Sequence, residues 1–417
     1  MSDIRVYPAR LCGEITAPPS KSEAHRALIC AALAAGDSIV SPLSASEDMI
    51  ATAQVLRAMG MQITREAGSA AVRGGTCAKG EVTLDCKESG STLRFLLPVA
   101  AALGLQAVFC GEGRLPERPI GTLSNQLKEH GITFSAERMP FTISGKLTGG
   151  CFTLPGDVSS QFVSGLLFAL PLVDSDSEIV LTSPLQSAGY VDMTLSTLRQ
   201  SGIEIIITEN GYRINGNQVY RAGDKAVEGD YSNAAFWLCA GAIGGEISVG
   251  GLDADSMQGD RAIVEVIRRF GGTIATENSI VTSGKTPLSG CRIDAAPIPD
   301  LVPVIAVMAA FAQGNTEIYN AARLRIKESD RLQAVSALLR NLGGKVDEYP
   351  DRLVIHGGGL RGGEADGAND HRIIMAAAVA AQLCSEPVII RGAQAVNKSY
   401  PNFFDDLIKL GGRCDVI

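Results

Sequence analysis

Cations and small polar residues gather at a few turns of this chain. Lys21 and Arg26 flank Ser22 in PSKSEAHR, and Gly90, Ser91 and Arg94 follow one another in ESGSTLRF. Ser159, Ser160 and Gln161 fall in VSSQF, and Arg118 in ERPI. Lys327 and Arg331 share RIKESDR, while His371 and Arg372 sit in NDHR and Lys398 in NKSYP. Polar turns that open apolar helices leave backbone N–H groups unpaired, and such ends attract anions. Arg and Lys beside them add charge and directed donors. The pattern predicts a small polyanion held by several turns at once. Taken singly, a loop Lys or Arg is solvated surface and a Ser at a helix start is an N-cap. His25 and His371 are, singly, helix-start polar groups. Recurrence at equivalent places is what points to a site.

Composition narrows the partners. The 417 residues carry 37 Lys+Arg against 45 Asp+Glu, a net charge of -8, with a single Trp. That balance argues against a nucleic-acid coat. The longest nearly uncharged apolar run, Leu301 to Ala312, is too short for a membrane span of about 20 residues. The first residues lack an apolar signal core, so a cytoplasmic protein is expected. Ten Cys without a CxxC pair read as reduced thiols, and four His without ligand spacing make a zinc site unexpected. Cys110, in the apolar stretch AVFC, reads as inert. The run HGGGLRGG from His356 has no Walker ending and reads as a turn.

The elements that must position the turns repeat. A polar start, an Ala/Leu-rich helix and a β-branched run recur from Ser20, Ser89, Ser159, Tyr231, Asp300 and Asp370, at spacings of 69, 70, 72, 69 and 70 residues. Each copy carries a second helix with apolar residues three and four apart and a Gly stop, as in DMIATAQVLRAMG and RLQAVSALLRNLGG. The first helix is apolar nearly all round and should be buried; the second should face out on one side. Six units divide into two groups of three. The expected domains are 17–224 (repeats 1–3) and 1–16 plus 225–417 (repeats 4–6), with Ile4 to Ile15 completing the second. The site is expected in the cleft between them, with closure on substrate.

At this point the motifs resemble a known family. PPSKSEAHRALICAALA is similar to the N-terminal signature of the 5-enolpyruvylshikimate-3-phosphate synthase family. ESGSTLRF, GEGRLPERPIG, DVSSQFVSGLL, SAGYVDMT, IPDLVPVIAV, RLRIKESDRL, NDHRIIMA and NKSYPNFF resemble its later motifs, in its order, over essentially the whole chain. The resemblance implies an α/β, two-domain, inside-out barrel-like fold of six βαβαββ units, three per domain. It implies transfer of the enolpyruvyl group of phosphoenolpyruvate to the 5-hydroxyl of shikimate 3-phosphate through a tetrahedral intermediate, with loss of phosphate, by a monomeric enzyme of the shikimate pathway without metal or organic cofactor. Lys21, Ser22, Arg26, Ser159, Ser160, Gln161, Ser187, Tyr190, Asp300, Arg323 and Lys327 match the shikimate 3-phosphate ligands. Lys21, Gly90, Arg118, Gln161, Arg331, Arg372 and Lys398 match those of phosphoenolpyruvate. Asp300 resembles the general base, its other reading being a helix N-cap. Glu328 resembles the group that exchanges the C3 proton, and Lys21 the assistant that steadies charge. Gly90 implies room for glyphosate, a phosphoenolpyruvate competitor. Glu88 and Ser91 depart from the Asn-Ala-Gly-Thr of better-known members, and Arg323 stands where some have Asn.

Three other readings differ in what they require. A sister enolpyruvyl transferase acting on UDP-N-acetylglucosamine shares the fold and an RPI-type loop, but resembles this chain less at PSKS, SSQF and KESDR. A non-catalytic anion-binding protein predicts loss of acid and base residues, yet Asp300, Glu328 and Lys21 are present. An RNA-binding relative predicts a basic surface, against the net charge of -8.

Overall fold

The twelve helices of the structure, a computed structural model that describes residues 3–66 and 68–417, alternate between two kinds. In chain order they are α1 (Lys21–Leu33), α2 (Glu47–Ala58), α3 (Gly90–Ala102), α4 (Gly121–Glu129), α5 (Ser160–Ala169), α6 (Ala188–Gln200), α7 (Tyr231–Gly244), α8 (Ile263–Arg269), α9 (Val302–Ala310), α10 (Arg331–Asn341), α11 (His371–Ala381) and α12 (Phe403–Lys409). The odd helices are the buried ones. Every residue of α7, α9 and α11 is buried, because Ala, Val, Ile and Leu cover all their faces. The even helices bury one side, as in α10, where Leu332, Val335, Leu338 and Leu339 point inward. The Gly stop takes the left-handed conformation that spares an L side chain, at Gly60 (φ 109°) after α2 and at Gly343 (φ 86°) after α10.

Six four-stranded sheets accompany the helices, one per repeat. In four of the sheets the strand entering a buried helix lies parallel to the strand leaving it. An antiparallel pair then completes the sheet. In the third repeat Cys151–Leu154 runs parallel to Ser177–Leu181, which pairs antiparallel with Gly211–Ile214, and Ile205–Thr208 forms the edge. Three sheets borrow a strand from a distant part of the chain. Ile4–Tyr7 sits between Val388–Arg391 and Arg413–Val416 in the last sheet. Cys12–Thr16 lies parallel to Glu246–Gly250 in the fourth. The short Lys225–Ala226 lies parallel to Val40 and Ser41 in the first.

The chain forms two compact units, Lys21–Val227 and the residues through Ser20 together with Glu228–Ile417. Each has its own apolar core. The crossings are set by backbone bonds. Ser20 N–H donates to Glu228 O and Asp230 N–H to Pro18 O, tying both passing segments into the second of these units. Val227 N–H donates to Ser41 O, the last such tie in the first. HGGGLRGG joins the strands Leu353–His356 and Gly363–Asp366 as a turn, with Gly359 at φ 85°.

Candidate active site

In the unit Lys21–Val227, the starts of three buried helices are wired together. Lys21 opens α1, and its Nζ reaches Asp48 Oδ2 at 2.7 Å. Arg26 lies one turn on and is 2% exposed. Its Nε donates to Thr194 Oγ1 (2.8 Å), its Nη1 to the Ser22 carbonyl (2.5 Å) and its Nη2 to the Tyr190 carbonyl (2.7 Å). Burial lowers the guanidinium to about 10, which leaves it charged at neutral pH. Arg26 thus gathers Ser22 and the first turn of α6, whose N-cap is Ser187. That Ser sits in the left-handed region at φ 57°.

Ser89 caps α3, its hydroxyl accepting from Thr92 N–H, so that Gly90 is the first helical residue. A Cβ added at Gly90 would stand 2.7 Å from both Arg118 Nη1 and Arg94 Nη1, so the missing side chain is what lets two guanidiniums approach this helix start. Arg94 Nη1 donates to Gln161 Oε1 (2.9 Å), and Gln161 Nε2 donates to Ser91 Oγ (2.9 Å). Ser159 caps α5 by accepting from Gln161 N–H. The Ser160 side chain is buried beside it. These contacts need α3 and α5 very close together. Gly165 provides that, since a Cβ there would fall 2.2 Å from the Arg94 carbonyl oxygen.

In the unit that contains Glu228–Ile417, cations converge on a carboxylate. Asp300 lies in a 3-10 turn, Pro299–Leu301, that leads into α9, and the N-cap positions are Ile298 for the turn and Leu301 for the helix, so the N-cap reading of Asp300 does not hold. Its carboxylate instead meets Arg331 Nη1 at 2.7 Å, Arg372 Nη2 at 3.1 Å and Lys327 Nζ at 3.4 Å. Arg331, 1% exposed, also meets Glu328 Oε2 (2.7 Å) and Asp370 Oδ2 (2.8 Å). A buried charge is tolerable only when it is well paired. Asp370, fully buried, caps α11 by accepting from Arg372 N–H (3.0 Å) and also accepts from Ser329 Oγ (2.9 Å). Lys398 Nζ donates to the carbonyl of Asn369, the neighbouring residue (2.8 Å).

The electrostatics follow. Burial works to raise the Asp300 carboxyl, but Arg372, Lys327 and Arg331 outweigh it and hold it well below the usual range, so it is ionised. Lys327 is lowered, chiefly by burial, with Arg331 and Arg323 adding repulsion against the pull of Asp300. Arg331 loses stability as a charge through burial, yet Asp370, Glu328 and Asp300 together hold it well above its ordinary value. A second acid, Asp260, is fully buried and accepts from Ser232 Oγ. Burial first, and the charge of Asp300 next, push it up to about 6.

The structure therefore brings Gly90, Arg118, Gln161 and Ser159 into one set of contacts, and Lys21, Ser22, Arg26 and Tyr190 into another, joined to the first where Thr194, the partner of Arg26, meets Ser164 of α5 at 2.8 Å. It brings Asp300, Lys327, Glu328, Arg331 and Arg372 into a third. Arg323 bears on that third set through its charge on Lys327. Sequence reasoning missed Asp48, Asp260 and Asp370 as partners of the cations. For Asp370 a signal existed: Asp, then Arg two residues on, at the start of a buried helix is the cap-and-neighbour spacing seen in the structure.

Comparison with known proteins gives one answer. The family model described as EPSP synthase (3-phosphoshikimate 1-carboxyvinyltransferase) matches residues 6–407. A 3-phosphoshikimate 1-carboxyvinyltransferase of Clostridium kluyveri is 44% identical, covering 100% of this chain and 99% of its own. One from Clostridium acetobutylicum is also 44% identical, over 99% and 98%. The solved EPSP synthase from Acinetobacter baumannii superposes with a TM-score of 0.86 at 25% identity, with full coverage of both chains. The enolpyruvyl transferase NikO from Streptomyces tendae shares the fold at 18% identity, with a TM-score of 0.83 and coverage of 100% and 99%.

Proposed function

Because the chain belongs to the EPSP synthase (3-phosphoshikimate 1-carboxyvinyltransferase) family, we propose that these residue sets carry out its reaction: the enolpyruvyl group of phosphoenolpyruvate passes to the 5-hydroxyl of shikimate 3-phosphate, and phosphate leaves. The observation that carries the reading is the grip of Arg331, Arg372 and Lys327 on the Asp300 carboxylate. Three largely buried cations around one carboxylate form a place for anions, occupied here by the chain's own acids. Arg suits it because its planar fork grips carboxylate or phosphate with two bonds.

In this reading Arg331, Arg372, Lys398, Gly90, Arg118, Lys21 and Gln161 bind phosphoenolpyruvate. Ser22, Arg26, Ser159, Ser160, Gln161, Ser187, Tyr190, Arg323 and Lys327 bind shikimate 3-phosphate, with Lys21 and Asp300. Each unit supplies part of the ligand set, and the sets serve one substrate pair. The incoming carboxylate and phosphates draw the cations off Asp300. Its proton affinity then rises, and it takes the proton of the 5-hydroxyl as that oxygen attacks C2. Glu328 gives the proton to C3 and removes it again when the tetrahedral adduct expels phosphate, while Lys21 steadies the charge. The cations lower the barrier by stabilising charge that grows on carboxylate and leaving phosphate. The enzyme acts in the cytoplasm as a monomer, and no metal or organic cofactor enters the scheme.

Phosphate release tests it. Shikimate 3-phosphate should support turnover and UDP-N-acetylglucosamine should not. Asp300→Asn and Glu328→Gln should bind both substrates but lose turnover, and Glu328→Gln should lose exchange of solvent tritium into phosphoenolpyruvate. Full activity in both variants would overturn the assignment.

A further inference from the structure

Three hydroxyls and one imidazole form a continuous buried chain behind the anion-binding turns. His25 Nδ1 stands 2.7 Å from Thr52 Oγ1, and Thr52 Oγ1 stands 2.6 Å from Thr92 Oγ1. Thr92 Oγ1 donates to Ser89 Oγ at 2.8 Å, and Ser89 is the N-cap of α3. The proton order is determined from that end. Since the Thr92 hydroxyl donates to Ser89, it can only accept from Thr52; Thr52 must then accept from His25, whose Nδ1 carries the hydrogen. His25 and Thr92 are 1% and 0% exposed, and Thr52 is 0% exposed. His25 Nε2 has no hydrogen-bond partner among the described residues.

The chain has a second rung. Lys21 and His25 are one turn apart on α1, and their partners Asp48 and Thr52 are one turn apart on α2. The rung at Lys21–Asp48 holds an ammonium assigned to both substrates. The rung at His25–Thr52 continues through Thr92 to the helix start where Gly90 and Arg118 stand. His25 also meets Phe95 of α3 edge-on, with centroids 6.4 Å apart. Burial, with Lys21 and Arg26 adding repulsion, holds His25 well below its ordinary value, so the neutral ring assumed in this order is the form present.

We propose that His25, Thr52 and Thr92 are positioning residues for phosphoenolpyruvate: their hydrogen-bond chain sets the distance between the Lys21 ammonium and the Gly90 end of α3. The inference rests on the functional reading above. Ser22 and the Arg26 contacts lie on another connection, toward Tyr190 and Thr194, so the acceptor shares only Lys21 with this chain.

The test is a kinetic split in the full-length protein. Thr52→Val keeps the shape and removes the hydroxyl, breaking the chain at its middle. The KM for phosphoenolpyruvate should rise about five- to twentyfold, the worth of one buried hydrogen bond left unmade. The KM for shikimate 3-phosphate, which shares Lys21 but keeps Ser22, Arg26 and Tyr190, should rise clearly less, and Thr52→Ser should restore the wild-type value. His25→Leu should match Thr52→Val, whereas His25→Asn, which keeps a donor near the Nδ1 position, should stay near wild type; this pair carries the test if the valine variant does not fold. Unchanged phosphoenolpyruvate KM, equal increases for both substrates, or no rescue by serine would each overturn the proposal. A wild-type protein that released no phosphate from this substrate pair would overturn the functional reading instead.

Discussion

Asp370→Asn isolates what the buried acid does for Arg331, because Asp370 is assigned no substrate contact. Asp370 Oδ2 accepts from Arg331 Nε (2.8 Å) and Ser329 Oγ (2.9 Å), while Oδ1 accepts from Arg372 N–H (3.0 Å) and Arg331 Nη2 (3.3 Å). An asparagine has one oxygen for these four donors. Placing it at the Oδ1 position keeps the cap of α11, where Asn serves as well as Asp. The new NH2 then faces Arg331 Nε–H, donor against donor. Ser329 can turn to accept, but Arg331 cannot, and its fork must swing away from the direction that now serves Asp300 and Glu328. The loss is one charge-assisted hydrogen bond, about 1.5–3 kcal/mol. If that loss falls on ligand binding, the KM for phosphoenolpyruvate rises roughly 10- to 100-fold in a phosphate-release assay at saturating shikimate 3-phosphate. The thermal midpoint should fall by roughly 3–12 °C for a unit of this size. A lowered midpoint with an unchanged KM would refute the reasoning, since it would leave Asp370 supporting the fold without aiming Arg331.

Three further outcomes follow from the geometry. Gly90→Ala pushes a methyl within 2.7 Å of two guanidinium nitrogens, so Arg118 and Arg94 must retreat; glyphosate inhibition should weaken about tenfold or more, with a smaller rise in the phosphoenolpyruvate KM, and equal inhibition constants for both forms would count against it. Gly165→Ala drives a Cβ against the Arg94 carbonyl oxygen and should destabilise its unit by about 1–3 kcal/mol, measured by urea unfolding. Asp260, raised to about 6, gives stability that is fully present below the unfolded carboxyl value and is lost as pH rises through about 6. Asp260→Asn should flatten that decline, a difference of about 3 kcal/mol at most between pH 4 and 7, and parallel pH profiles of unfolding for the two proteins would rule it out.

Much of this architecture was legible because it is written six times. The spacing located all twelve helices, and the Gly after each amphipathic helix marked its end, because apolar periodicity and the left-handed stop are local properties. The borrowed strands were less visible. Ile4–Tyr7 shows a strand pattern, but nothing in four residues names partners at 388–391 and 413–416. Lys225–Ala226 is two residues long and carries no pattern at all. The site followed the same divide. Lys21, Arg118 and Arg372 were found by residue type at repeated helix starts. That Arg331 would choose Asp300, Glu328 and Asp370 together depends on distances among side chains 3 to 39 positions apart, which no local rule sets.

The strand Ile4–Tyr7 has a bearing on how the molecule is made. Its neighbours in the sheet are synthesised more than 380 residues later, which at ordinary elongation is roughly 20 to 80 s. During that interval Lys21–Val227, which contains every strand of its own three sheets, can emerge and fold on the ribosome. That strand has to wait, and the sheet is closed by an early segment meeting ones made long after it.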